Sequence, residues 1–277
     1  MKLIPKFRRR EPYRIGLAMS GGGARGFAHA GAIKALLECG IRPDVVAGVS
    51  AGSVVAVMYA AGLTPGQMLR KFKEAKFRDF VELGMPTDGF FSLDRFREFL
   101  RKELAPYRTL EELPVKTVIG VTNLDLGRKV KFDHGQIDEV VAASCSIPIV
   151  FKPVHMGSAR YVDGGVTANL PAWAIRPLCR YLIGINVSPL VHYPVKNNIM
   201  GIALRSYELM AKTNVLGDGE RCDMLVNTEE IARYQVFNLK EIDRVFESGY
   251  RDTMNYLLYY GFKPQHGGCR SEASKRE

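Results

Sequence analysis

No stretch of this sequence stays apolar long enough to cross a bilayer as a helix, which takes roughly 20 residues. The first ten residues, Met1 to Arg10, lack the apolar core and small-residue cleavage site of a secretion signal, so an intracellular, cytoplasmic protein is expected. Cysteine is sparse and scattered: Cys39, Cys145, Cys179, Cys222 and Cys269, an odd number with no C-x-x-C pair. That spacing excludes a disulfide framework and a cysteine zinc site, and leaves reduced structural thiols. Acidic residues are outnumbered, 29 against 39 Lys and Arg, for a net charge of +10. The excess gathers at the ends, in Lys6 to Arg10 and in Arg270, Lys275 and Arg276. Solvated tails explain this most simply. With Leu3, Ile4 and Phe7 among the cations, peripheral membrane contact through the N-terminus is the functional alternative. A nucleic-acid partner is not expected. Internal repeats and linkers are also missing. The chain therefore reads as a basic segment over 1–12, one α/β domain over 13–263, and a polar, disordered tail over 264–277.

What is present is organised around Val45-Val46-Ala47-Gly48-Val49-Ser50-Ala51-Gly52-Ser53. A β-branched run enters Gly48-Val49-Ser50-Ala51-Gly52, and small and apolar residues continue at helical spacing to Ala61. Strand, sharp turn and helix with serine at the turn make a nucleophile elbow. Side chains at Gly48 and Gly52 would crowd the strand and helix. The turn lifts the Ser50 hydroxyl over the positive end of the helix, where developing negative charge is favoured. The structural alternative is a tight turn with Ser50 as an ordinary helix cap.

Upstream, a buried strand over Tyr13 to Met19 opens into Ser20-Gly21-Gly22-Gly23-Ala24-Arg25-Gly26, and a helix runs from Phe27 to about Cys39. Gly21, Gly23 and Gly26 match the dinucleotide fingerprint G-x-G-x-x-G. Asp44 lies at about the distance of a ribose-binding acid, but it precedes the second strand instead of ending it. A second use fits better. Bare N–H groups of the glycine loop, joined by that of Ala51, would hold a tetrahedral oxyanion beside Ser50, at the carboxyl ends of two neighbouring strands. Arg25 either orients this loop or meets an anionic substrate.

Further along, helical patterns run from Thr64-Pro65 to Leu83, and Ser92 caps a helix carrying Phe96, Phe99, Leu100 and Leu104 on one face. Met85, Phe90 and Phe91 are candidates for an acyl-chain entrance, with local packing the plainer role. A strand over Val115 to Asn123 turns at Asp125-Leu126-Gly127-Arg128 into Lys129 to Phe132. A helix from Gln136 ends at Pro148, and Val150 to Val154 and Arg160 to Val162 read as a hairpin. Asp163-Gly164-Gly165 then places a carboxylate at a strand end with no side-chain bulk beside it. That suits a general base, although alone it is a turn signal. A helix from Asn169-Leu170-Pro171, a strand over Tyr181 to Val187, a helix from Asn198, a strand at Met224 to Thr228 and a helix over Leu239 to Tyr260 complete the chain.

A serine nucleophile usually recruits histidine. Of His29, His134, His155, His192 and His266, only His192 follows a late strand, and a serine–aspartate dyad is the simpler account. At this point the residues resemble a family. Gly21-Gly22-Gly23-Ala24-Arg25-Gly26, Gly48-Val49-Ser50-Ala51-Gly52 and Asp163-Gly164-Gly165 together resemble the patatin-like phospholipases, closest to the bacterial group, over roughly residues 14–187. Residues 143–148 and 169–171 also look like that group. The resemblance implies a three-layer α/β/α fold with a mainly parallel central sheet, of the FabD/lysophospholipase-like kind. It also implies Ser50 as nucleophile, Asp163 as proton acceptor, an oxyanion hole from Gly21 to Gly26, a lipid ester substrate, and no cofactor or metal. Two rivals remain open: a non-enzymatic lipid-binding or regulatory protein on the same fold, and a nucleotide-binding oxidoreductase using Gly21 to Gly26.

Overall fold

The computed structural model describes residues 12–73, 80–83, 88–189, 195, 197–228, 230–234 and 239–265. Residues 1–11 of the basic segment over 1–12 and residues 266–277 of the tail over 264–277 lie outside them, as do Met85 and His192.

Chain order runs β1 (Tyr13–Met19), α1 (Phe27–Glu38), β2 (Val45–Gly48), α2 (Ala51–Ala60), α3 (Pro65–Lys73), β3 (Glu82–Leu83), β4 (Phe91–Ser92) and α4 (Asp94–Glu103). It continues with β5 (Lys116–Asn123), β6 (Arg128–Phe132), α5 (Ile137–Cys145), β7 (Val154–Met156), β8 (Ala159–Asp163), α6 (Ala172–Ile175) and β9 (Cys179–Asn186). Last come α7 (Ile199–Gly219), β10 (Met224–Asn227) and α8 (Ile242–Tyr259). Strands β10, β9, β1, β2 and β5 are parallel neighbours in that order. The remaining sheet strands are antiparallel: β6 and β8 pair with β5, and β7 with β8.

Alternation along the strands sorts the core into two faces. Leu17, Met19, Val46, Ile119, Val121, Ile183 and Ile185 face the larger cluster, where α1, α2, α4, α5 and α8 pack. Ala18, Val45, Ala47, Val118 and Leu182 face the smaller one, covered by α6 and by Val215 of α7. This is the three-layer α/β/α arrangement with a mainly parallel sheet.

Two readings of the pattern differ from the structure. Residues 80–83 are not helical: β3 pairs with β4 as a two-stranded ribbon. The apolar signal there comes from Phe80, which packs against Phe72, Phe96 and Phe99. Val150 and Phe151 do not open a strand either. They bury with Ile147 in a small third cluster, and β7 begins at Val154.

The register of β5 positions the site. β2 pairs with Lys116 to Ile119, and β8 with Val121 to Asn123. β6 pairs with Ile119 to Asn123, so it takes the opposite side of β5. β2 and β8 therefore meet end to end on one side of β5. Gly48 is opposite Ile119 and Asp163 is opposite Val121. The turn after β2 and the last residue of β8 converge at one level of the sheet.

Candidate active site

Ser50 occupies that turn with φ 51° and ψ −126°, a conformation that costs a side-chain-bearing residue on the order of 1–3 kcal/mol. The surroundings hold it there. Its N–H donates to Ser144 Oγ at 2.8 Å, and the Ser144 hydroxyl donates to the Gly120 carbonyl at 2.7 Å. Its carbonyl accepts from Ser53 Oγ at 2.6 Å. A Cβ at Gly48 would lie 2.3 Å from the Gly52 carbonyl oxygen, and one at Gly52 2.3 Å from that of Met19. Both elbow glycines are thus required by close approach. The Ser50 hydroxyl makes no capping bond to α2, although Ser50 stands at the N-cap position. The capping alternative is thereby set aside, and the hydroxyl is free for other work.

Asp163 is fully buried and uses its two oxygens differently. Oδ1 accepts from the Gly165 N–H at 2.8 Å, which fixes the turn. Oδ2 has no partner of good hydrogen-bond geometry. Burial pushes the acid up from 3.8 to about 6, while the Gly165 N–H and the Ser50 and Tyr207 hydroxyls pull it down. Both hydroxyls therefore lie beside the carboxylate. Contacts of this kind are often long before substrate arrives. Tyr207 projects from α7, and its hydroxyl sits so close to Gly165 that a Cβ there would be 2.3 Å away. Asn214, two turns on, donates from Nδ2 to the Val166 carbonyl at 2.9 Å. Helix α7 thus clasps the Asp163-Gly164-Gly165 turn from outside the sheet. Burial and the Asp163 charge keep the Tyr207 phenol well above its ordinary range, so it remains a donor.

The glycine loop lies alongside as a 3-10 turn over Gly23–Gly26, with Gly23 at φ 58°. The Gly21 N–H is directed at Asn169, with its Oδ1 at 3.1 Å and its carbonyl at 3.3 Å. The Arg25 N–H donates to the Gly22 carbonyl at 3.2 Å. Among the described residues, the N–H groups of Gly22, Gly23 and Ala51 have no protein acceptor. Ala24 and Gly26 line the same cavity as Ser50. Arg25 is buried, and its Nε donates to the Tyr234 carbonyl at 2.8 Å, so this guanidinium anchors the loop. His29 is buried beneath it, with Nε2–H donating to the Ser20 carbonyl at 2.8 Å. Burial holds its pKa down at about 4, so it is neutral scaffolding. His134 and His155 are exposed on the surface. Asp44 is at the opposite edge of the sheet, where its Oδ2 accepts from the Arg14 and Ile15 N–H groups at 3.1 and 3.0 Å. It has no access to a ligand on the glycine loop.

Two cavities meet at Ser50. One, of about 150 Å³, is walled by Phe27, Val54, Phe72, Phe80, Phe96 and Phe151 and reaches back to Gly23, Ala24 and Ala51. Phe91 takes the plainer packing role: it lies on Phe151, ring centroids 6.4 Å apart, and neither Phe90 nor Phe91 is part of the wall. Cys145 also lines the pocket. Burial and the Asp163 charge push its thiol up, which keeps it un-ionised. The second cavity is narrow and more polar, bounded by Gly22, Arg25, Ser188, Tyr207 and Glu208. Sequence reasoning gave no role to Ser144, Asn169 or Tyr207. Residues 143–148 and 169–171 stood out only through the family resemblance, and Tyr207 carried no signal at all.

Comparison with known proteins agrees with this geometry. An uncharacterised NTE family protein of Mycobacterium tuberculosis is 27% identical over 272 residues, covering 85% of this chain and 45% of the relative. A protein of Aspergillus fumigatus named lysophospholipase nte1 is 30% identical over 162 residues, covering 56% of this chain and 11% of the relative. The chain therefore spans less than half the length of these relatives. Among solved structures, VipD from Legionella pneumophila superposes with a TM-score of 0.51 at 16% identity, over 90% of this chain and 67% of VipD, a likeness of fold. The family description "patatin-like phospholipase" matches residues 17–175, more than half the chain, with the loop, the elbow and Asp163 all inside the match. The chain belongs to the patatin-like phospholipase family.

Proposed function

We propose that this chain is a serine acyl hydrolase that cleaves carboxylic esters of lipids, phospholipid or lysophospholipid, with Ser50 as nucleophile and Asp163 as general base. The observation that carries this reading is the uncapped Ser50 hydroxyl beside the unpartnered Oδ2 of Asp163, at the mouth of an apolar pocket. The lysophospholipase name of the Aspergillus relative supports a lipid ester.

The acyl chain enters between the phenylalanines, which brings the ester carbonyl to Ser50. Oγ attacks the carbonyl carbon as Asp163 Oδ2 takes its proton. The oxyanion points to the N–H groups of Gly22, Gly23 and Ala51, at the positive end of α2. Collapse breaks the carbon–oxygen bond to the alcohol. Asp163 returns the proton to that oxygen, which leaves Ser50 acylated. Water entering from the polar cavity loses a proton to Asp163 and attacks the acyl carbon, and the fatty acid departs as Ser50 regains its proton. One carboxylate serves both halves because each alcohol or serine departure restores its ionised form. An acid with a pKa near 6 is ionised at neutral pH and still basic enough to accept a proton.

Labelling by a fluorophosphonate probe at pH 8 tests this. Wild type labels, Ser50→Ala does not, and Asp163→Asn labels at least about 100-fold more slowly. Folded wild type that stays unlabelled would leave the pocket as a lipid-binding site without turnover. Full labelling of Asp163→Asn would move the base elsewhere, with His192, outside the described residues, the next side chain to replace.

A further inference from the structure

We infer that the carboxyl edge of the sheet is a lipid-docking face, with the first turn of α7 and the β5–β6 turn as its contact points and an anionic lipid–water interface as its partner. Five large apolar side chains stand exposed at this edge: Leu124 at 41%, Leu126 at 60%, Ile149 at 47%, Ile199 at 75% and Ile202 at 55%. They come from three separate connections. Leu124 and Leu126 follow β5, Ile149 follows α5, and Ile199 and Ile202 open α7 after β9. The first and third of these leave the sheet at the edge that carries Ser50, and the second, which follows the helix α5, is tied to that edge through Ile147. Ile147, two residues before Ile149, lines both cavities at the serine. Ile149 itself is held at φ 72°, a conformation β-branched residues rarely adopt, and this kink turns it outward. Scattered apolar residues on a surface need no explanation, but five of them at the one edge of the sheet that carries Ser50 do.

The outward stripe of α7 extends from this edge along the helix. Ile199, Ile202, Ser206, Leu209, Thr213 and Leu216 follow one another at helical spacing, all exposed and none charged. The opposite side of the same helix carries Tyr207 and Asn214 to the Asp163 turn. A flat apolar surface is the occupant that fits apolar side chains gathered at the edge beside Ser50, because the substrate class proposed for Ser50 resides in such a surface. Charge agrees. Arg128 and Lys152 flank the edge, the Asp125 carboxylate of the β5–β6 turn is paired with Arg160 at 2.6 Å, and the chain carries +10 overall. A second copy seated edge to edge would bring these cations together, whereas anionic headgroups neutralise them.

The inference rests on the lipid hydrolase reading, and its test separates the two. Full-length protein is sedimented with phosphatidylglycerol–phosphatidylcholine vesicles at roughly 0.5 M salt, where exposed charges are screened within about 4 Å and the basic N-terminus contributes little. Wild type and Ser50→Ala both sediment. Leu126→Ser/Ile199→Ser/Ile202→Ser loses at least about tenfold in vesicle partition, while its melting temperature and its turnover of a soluble short-chain nitrophenyl ester stay at wild-type level. Tyr259→Ser/Phe262→Ser, exposed apolar residues at the opposite edge, sediments like wild type. The inference is overturned if the triple variant binds vesicles as wild type does, if the opposite-edge variant is the one that loses binding, or if the triple variant differs only by ceasing to dimerise. Failure of ester turnover with rim-dependent sedimentation intact would instead sink the hydrolase reading alone.

Discussion

Replacing Asp163 by asparagine is expected to slow labelling of Ser50 at least about 100-fold and at the same time make the protein harder to melt. In the folded state the acid titrates at about 6 in place of 3.8, chiefly because it is buried. A raised folded-state pKa favours the protonated form. The stability it contributes is therefore complete below pH 3.8 and is lost as pH rises through about 6. Above that pH the fold carries a cost of about 3 kcal/mol, at ~1.4 kcal/mol per tenfold of proton affinity. Asparagine imitates the neutral acid in shape and charge and does not carry this cost. For a domain of this size 1 kcal/mol moves the melting temperature by roughly 2–4 °C, so Asp163→Asn should melt about 6–12 °C higher at pH 8. The gap should narrow to about 0.5 kcal/mol at pH 4, where the folded-state acid is almost fully protonated and the unfolded-state acid is only about half ionised. Thermal melts of the two proteins across pH 4 to 8 measure this directly. A difference that does not vary with pH, or a variant less stable than wild type at pH 8, would refute the argument. Wild-type kcat/KM should rise through the same interval and level off above pH 7.

Two further expectations follow from neighbouring contacts. Tyr207→Phe removes one hydroxyl that lowers the Asp163 pKa, so the rising limb of kcat/KM should move to higher pH. The loss should be about two- to tenfold larger at pH 6 than at pH 8, which a purely structural defect would not produce. Gly249→Ala would place a Cβ 2.1 Å from the Ala28 carbonyl oxygen, where α8 crosses α1. A destabilisation of about 1–3 kcal/mol is expected by calorimetry, with labelling per folded molecule unchanged at room temperature.

The parts of the site legible in the sequence are those fixed by local backbone geometry. A glycine-flanked serine between a β-branched run and a helical run has few conformations open to it, and the structure places Ser50 in one of them. The same holds for Asp163 at a strand end, where its Oδ1 also makes the turn that D-G-G signals. What was not legible depends on partners distant in sequence. Ser144 reaches Ser50 across 94 residues, and Asn169 reaches Gly21 across 148. Nothing in the neighbourhood of Tyr207 distinguishes it from any other half-buried residue on an amphipathic helix. The pocket wall is hidden in the sequence for a related reason. Phe72, Phe80 and Phe96 reveal their shared cavity only once α3 and α4 pack together, whereas Phe90 and Phe91 merely looked exposed in a loop. Arg25 left two roles open, and the Tyr234 carbonyl chooses between them.

The end-to-end meeting of β2 and β8 has a consequence for timing. A ribosome delivers Ser50 and its elbow early, but the slot beyond β2 stays empty until β8 has been made and has paired with β5. The loop that faces the serine is tied down later still, when Asn169 arrives 148 residues after Gly21. At ~5–20 residues per second that interval is about 7–30 s. Helix α7, which clasps the aspartate turn, follows after that. With Asp163 as the base proposed above, a nascent chain that already carries the Ser50 elbow lacks that base until β8 is made. On the proposed mechanism, Ser50 acquires its base and its oxyanion donors only when nearly the whole domain is assembled.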